Sequence, residues 1–130
     1  MVHRKVVVFV CEHGAAKSVV AATYFNKLAT ELGLNLQAIP RGTHPDPELS
    51  PRTISGLVKD GLMPIESVPR KISLAEVESA ERVIAFCELP VEYADKSVIE
   101  HWDGVPAVSE NYERARDAII VRLEKLISDL

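Results

Sequence analysis

Cys11 closes the β-branched run of residues 5–10, and Lys17 and Ser18 follow at the mouth of a stretch with helical spacing. A loop joining a strand to a helix start aims successive backbone N–H groups at one point, and the helix dipole adds positive potential there. Gly14, Ala15 and Ala16 are small enough to let an oxyanion approach the backbone, while Lys17 brings a cation and Ser18 a hydroxyl donor. Such a field favours the thiolate form of a cysteine, and a thiolate beside a bound oxyanion faces an electrophilic centre. The spacing predicts that Cys11 attacks the central atom of a phosphate-like group. Glu12 and His13 sit in the same loop. An inward Glu12 carboxylate would oppose an anion, whereas a protonated His13 would favour the thiolate. The plainer alternative makes Cys11 a core hydrophobe and Lys17 a solvated cation. A nucleotide-binding loop of the form G-x-x-x-x-G-K-[ST] needs glycines where Cys11 and Ala16 stand, so it is rejected.

These residues need a scaffold that brings strand ends together. The continuous apolar run before Cys11 predicts a strand buried on both faces. Val20, Phe25, Leu28 and Leu32 share a helical stripe from Ser18 onward, with Gly33 as its stop. Residues 36–40 read as a second strand, followed by a turn-rich loop. Ser50 and Pro51 read as the cap and first residue of a helix ending near Asp60. Ser73 and Glu76 have capping-box spacing. Residues 82–86 read as a third strand ending before Cys87, and residues 97–102 as a fourth. Ser109 is the expected cap of a last helix whose stripe is Ala115, Ile119, Leu123, Leu126 and Leu130. Strands alternating with amphipathic helices imply an α/β fold: a parallel sheet with helices on both faces, in one domain over residues 1–130. Ligands of such sheets sit beyond the carboxyl ends of the strands, where Cys11, Cys87 and the loops after Arg41 and Trp102 should converge.

Composition narrows the partners. The 130 residues carry a formal charge of −4, which argues against non-specific binding to nucleic acid or an anionic membrane. No apolar run approaches the roughly 20 residues of a membrane span, and the start lacks a signal-type segment. The expected compartment is the cytoplasm, where Cys11 and Cys87 would be reduced thiols. A metal site from Cys11, His13, Cys87 and His101 has no recognised ligand spacing and is rejected.

The stretch C-E-H-G-A-A-K-S at residues 11–18 resembles the C-x-G-N-x-x-R-S loop of the low-molecular-weight protein tyrosine phosphatase superfamily, which includes thioredoxin-coupled arsenate reductases. "RGTHPDPELSPRTISGLVKDGL" and "RVIAFC" are similar to the family's second-helix segment and third strand. "EHWDGVPA" with "YERARDAI" is more similar to the reductase branch. The resemblance implies a four-stranded parallel sheet in three layers, Cys11 as nucleophile, and residues 12–18 as the oxyanion loop. It also implies no bound cofactor, and a thioredoxin-like external thiol if the chain is a reductase. Cys87 aligns with the first redox cysteine of that branch; the second would fall at Ala94.

Three departures bear on activity. Lys17 replaces an arginine whose planar fork matches two oxyanion oxygens. Gly14 stands for an asparagine in a left-handed position that glycine also adopts. The family's acid, an Asp directly before Pro, is missing from "WDGVPA", which makes Asp103 the candidate acid there, or simply a turn residue before Gly104. Arsenate reduction is the favoured expectation. Aryl or tyrosine phosphomonoester hydrolysis is the alternative, and an oxyanion-binding regulatory module with weak turnover is a third reading.

Overall fold

Seven residues in the centre of the sheet explain the continuous apolar run. In the computed structural model, which describes residues 5–94 and 99–130, strand β1 (Lys5–Cys11) pairs in parallel with β2 (Leu36–Gly42) on one side and β3 (Arg82–Ala85) on the other. β4 (Ile99–His101) extends the sheet beyond β3, giving the order β2-β1-β3-β4 with every pair parallel. Val7 and Phe9 enter one core cluster and Val8 and Val10 the other. Both faces of β1 are therefore dry, and polar alternation would have left polar groups buried without water.

The larger cluster lies under α1 (Lys17–Glu31), α2 (Pro51–Lys59) and α5 (Tyr112–Ser128), with Phe25, Leu57, Ile119 and Leu123 fully buried. The smaller cluster lies under α3 (Leu74–Ser79) and the single turn α4 (Val91–Ala94), through Val77 and Tyr93. The architecture is thus a three-layer α/β fold with a four-stranded parallel sheet, as the sequence predicts.

The local signals hold where they are short-range. Ser50 accepts a hydrogen bond from the Thr53 N–H ahead of Pro51, and Ser73 and Glu76 form a complete capping box. Gly33 adopts φ +67° after α1. Other expectations shift. The last helix is capped by Asn111, whose side chain accepts from the Arg114 N–H, and not by Ser109. Tyr112, now the first helical residue, packs its ring where a Cβ on Gly56 would stand 2.5 Å away, and its hydroxyl reaches Asp60. That anchoring places the cap two residues later than the serine. β3 stops at Ala85, so Phe86 and Cys87 belong to the following loop. β2 runs on to Gly42. Of the expected fourth strand, residues 97–98 lie outside the described residues. Leu32 and Leu130 are exposed rather than core.

Arg41 is a buried cation at the end of β2. Its guanidinium contacts Glu66 at 2.8 Å and Glu76 at 2.7 Å, which ties the 66–76 segment beneath the strand end. Next to it, the Gly42 N–H donates to the Arg70 carbonyl and the Gly42 carbonyl accepts from the Ile72 N–H. Gly42 is held from that side before the loop after Cys11 reaches it from the other.

Candidate active site

The loop after Cys11 is shaped by a close approach of two backbones. Gly14 adopts φ +61°, and a Cβ there would lie 2.9 Å from the Gly42 nitrogen. The carbonyls of Cys11, Glu12, His13 and Ala15 are taken by the N–H groups of Thr43, His44, Asp46 and Ser50. With its carbonyls bonded to the 43–50 segment, the loop keeps its donors. Among the described residues, no protein acceptor takes the backbone N–H groups of residues 12–18. α1 adds to this donor cluster, because Ala16 precedes it without a side-chain cap and no acidic residue occupies its first turn. A run of unused N–H groups at an uncapped helix start is an anion-binding concavity.

Cys11 is buried, with only 9% of its surface exposed, and its Sγ lies 3.1 Å from the Oγ of the fully buried Ser18. The sulfur opens onto a cleft of about 340 Å³. Glu12, His13, Ala15, Ala16 and Lys17 line that cleft with it. Lys17 has no ion-pair partner among the described residues, so its charge is available to a guest. Gly14 and Ser18 shape the loop from behind: the glycine through its backbone contact with Gly42, and the serine through its bond to the sulfur.

Cys87 reaches the same cleft. Burial, and then electrostatic repulsion from the neighbouring Cys11, push the Cys87 thiol up to about 11, while Thr43 acts the other way. Phe86, Ala107 and Val108 supply an apolar wall, and Phe86 is braced edge-on against Trp102 with ring centroids 5.8 Å apart.

Asp103 does not join this group. It is exposed and absent from the cleft lining, and its carbonyl accepts from the Arg122 guanidinium on α5. Gly104, at φ +78°, turns the chain so that Ala107, Val108 and Ser109 meet the cleft instead. The sequence reading missed Asp46 and Ser50, both of which line it. Asp46 does carry a sequence signal: it stands directly before Pro47, an Asp-Pro pair in a different loop from the one searched. Its carboxylate lies 3.2 Å from His13 Nδ1, and His13 Nε2 lies 3.8 Å from Glu12.

The family model for low molecular weight phosphotyrosine protein phosphatases matches residues 6–130. The chain belongs to this family. Its members are enzymes, and the thiolate-plus-oxyanion reading of Cys11 is consistent with the phosphatase and reductase members alike. Solved structures of low-molecular-weight phosphatase type superpose over nearly the whole chain. YfkJ from Bacillus subtilis matches with TM-score 0.85 at 19% identity, covering 97% of this chain and 94% of that one. The arsenate reductase from Archaeoglobus fulgidus matches with TM-score 0.74 at 22% identity, covering 94% and 98%. The low molecular weight protein tyrosine phosphatase from T. tengcongensis matches with TM-score 0.76 at 20% identity, covering 97% and 99%. At these identities the likeness is one of fold. No curated protein sequence matches the chain. Among the described residues, no helix is long and apolar enough to cross a membrane.

Proposed function

We propose that this low-molecular-weight phosphatase-family protein is a two-thiol arsenate reductase. The observation that carries the reading is that Cys11 and Cys87 open onto one cleft, at the end where the loop N–H groups are unused. In the first step the Cys11 thiolate attacks arsenic in arsenate, an S–As bond forms, and one oxygen leaves as water after taking a proton. In the second, the Cys87 thiol gives its proton to an oxygen of the departing arsenic group as its sulfur attacks Sγ of Cys11. The S–As pair of electrons goes to arsenic, which departs as arsenite, and the two thiols are left as a disulfide. An external dithiol of thioredoxin type then reduces the bridge. Residues 12–16 bind the oxyanion through their backbone, Lys17 balances its charge, and Ser18 donates to the sulfur when the thiolate is regenerated. A reducing cytoplasm suits two cysteines that share a cleft unbridged.

Phosphomonoester hydrolysis is the second reading, favoured by the apolar wall of Phe86, Ala107 and Val108, which suits an aryl group. Side-by-side assays with an aryl phosphate, and with arsenate plus a dithiol, separate the two. Cys11→Ser should abolish both activities while keeping the fold. Cys87→Ser should block arsenate reduction only. Arsenate with limiting reductant should trap a Cys11–Cys87 bridge visible by mass spectrometry. Arsenate turnover that survives Cys87→Ser would refute the two-thiol cycle.

A further inference from the structure

Attack by a thiolate on a tetrahedral oxyanion needs its leaving oxygen in line with the incoming sulfur, on the far side of the central atom. Cys11 is buried and lines the cleft, so an in-line leaving oxygen points away from the sulfur toward solvent. A proton donor for that oxygen has to stand at the mouth. Asp103, the expected donor, is not there. The oxygen and nitrogen acids that line the cleft are Glu12, His13 and Asp46, beside the cation Lys17. Of these, His13 and Asp46 form an organised pair. The Asp46 carboxylate lies 3.2 Å from His13 Nδ1, and the Asp46 N–H donates to the His13 carbonyl at 3.0 Å, so the backbone bond holds the two side chains side by side. Glu12 approaches the imidazole only to 3.8 Å. Both members of the pair are about half exposed, as a donor to a departing group must be.

We infer that the His13–Asp46 pair is the proton donor of this active site, replacing the acid that the loop after β4 lacks. The inference rests on the reading of Cys11 as nucleophile. Asp46 accepts the Nδ1–H of the His13 imidazolium and orients the ring, and Nε2–H gives its proton to the leaving oxygen. The S–P or S–As bond forms as the bond to that oxygen breaks. The electron pair leaves with the oxygen, which departs as an alcohol or as water, and His13 is left neutral. For a phosphoryl intermediate the same nitrogen then takes a proton from the attacking water, and the S–P electron pair returns to Cys11. His13 is the catalytic residue and Asp46 a positioning residue.

The test compares leaving groups within one variant, so a folding defect lowers all rates alike and does not imitate the effect. With aryl phosphates running from a nitrophenol to an unsubstituted phenol as leaving group, wild-type kcat should change little. His13→Gln should lose roughly 100-fold on the phenyl ester and far less on the nitrophenyl ester. Asp46→Asn should steepen the dependence in the same direction by a smaller factor. With arsenate, whose leaving group is water, His13→Ala should lose a similar factor and recover part of it when imidazole is added. Unchanged leaving-group dependence in both variants, with no imidazole rescue, would overturn the assignment. So would steepening in Asp103→Asn or Glu12→Gln with none in His13→Gln. Absence of turnover with both substrates in the wild-type protein would refute the Cys11 reading itself, and the donor with it.

Discussion

Gly42→Ala adds one methyl group against the backbone of the loop after Cys11. The new Cβ would stand 2.8 Å from the Gly14 nitrogen, 3.0 Å from its Cα and 3.0 Å from the His13 carbonyl carbon, where ordinary contact begins at 3.4 Å. All three neighbours are backbone, so no rotamer change relieves the clash. Gly42 cannot retreat easily either. It is paired with Cys11 in the sheet and bonded on both polar atoms to Arg70 and Ile72, in a segment pinned by Arg41. The loop must therefore move, by roughly half an ångström, and overpacking of this kind costs about 2 kcal/mol. For a chain of this length that lowers Tm by roughly 5–10 °C. Displacement of donors by this amount should weaken phosphate or arsenate binding about tenfold and lower turnover with it. The assay pairs thermal unfolding with calorimetric titration of inorganic phosphate at a temperature where the variant is fully folded. Gly14→Ala is the companion. It meets the same wall at 2.9 Å and adds the cost of a left-handed alanine, about 1 kcal/mol or more, so it should be the less stable of the two. Wild-type phosphate affinity in a folded Gly42→Ala protein would refute the argument that the Gly14–Gly42 contact sets the donor positions.

Lys17→Arg should raise aryl phosphate turnover by roughly tenfold, because the planar guanidinium holds two oxygens as charge develops on them. An unchanged rate in a folded variant would mean that the loop has adapted to the compact cation. Asp60 ties three helices together: it accepts from Tyr24 on α1 and from Tyr112 and Arg116 on α5, while capping α2. Burial opposes ionisation of its carboxyl, but the hydrogen bonds from Tyr24, Tyr112 and Arg116 outweigh it and hold the group below its ordinary value of 3.8. A carboxylate depressed in the folded state stabilises the protein above that ordinary value and loses the contribution as pH falls through the lower, folded one. Asp60→Asn should therefore cost about 2 kcal/mol at neutral pH and flatten the acid limb of the stability curve, as read by urea unfolding across pH. An equally steep acid limb in the variant would place the acid sensitivity elsewhere.

Short-range chemistry in the chain is enough to determine the three-layer fold, the turn after Cys11 and two of the three helix caps expected from it. β1 is a continuous β-branched run because both its faces are dry. Ser73 and Glu76 cap each other over three residues. Cys11 at the end of β1 and Ser18 in the first turn of α1 are seven residues apart, and the short loop through Gly14 brings their side chains within 3.1 Å. Even the departure of Gly14 from the family pattern was interpretable, since its φ of +61° is one that glycine takes freely. What tertiary structure alone decided are the meetings between distant segments. His13 and Asp46 come together because residues 43–50 donate their N–H groups to the carbonyls of the loop, a docking that no local pattern encodes. Asp103 is exposed and outside the cleft lining, beside a turn at Gly104, with Arg122 donating to its carbonyl. Arg41 reads as an ordinary loop cation until Glu66 and Glu76 close over it. Asn111 displaces Ser109 as the cap because Tyr112 fits against Gly56 and Asp60. In each case the deciding energy is a contact between residues far apart in the chain, and only the folded backbone sets which of them can touch.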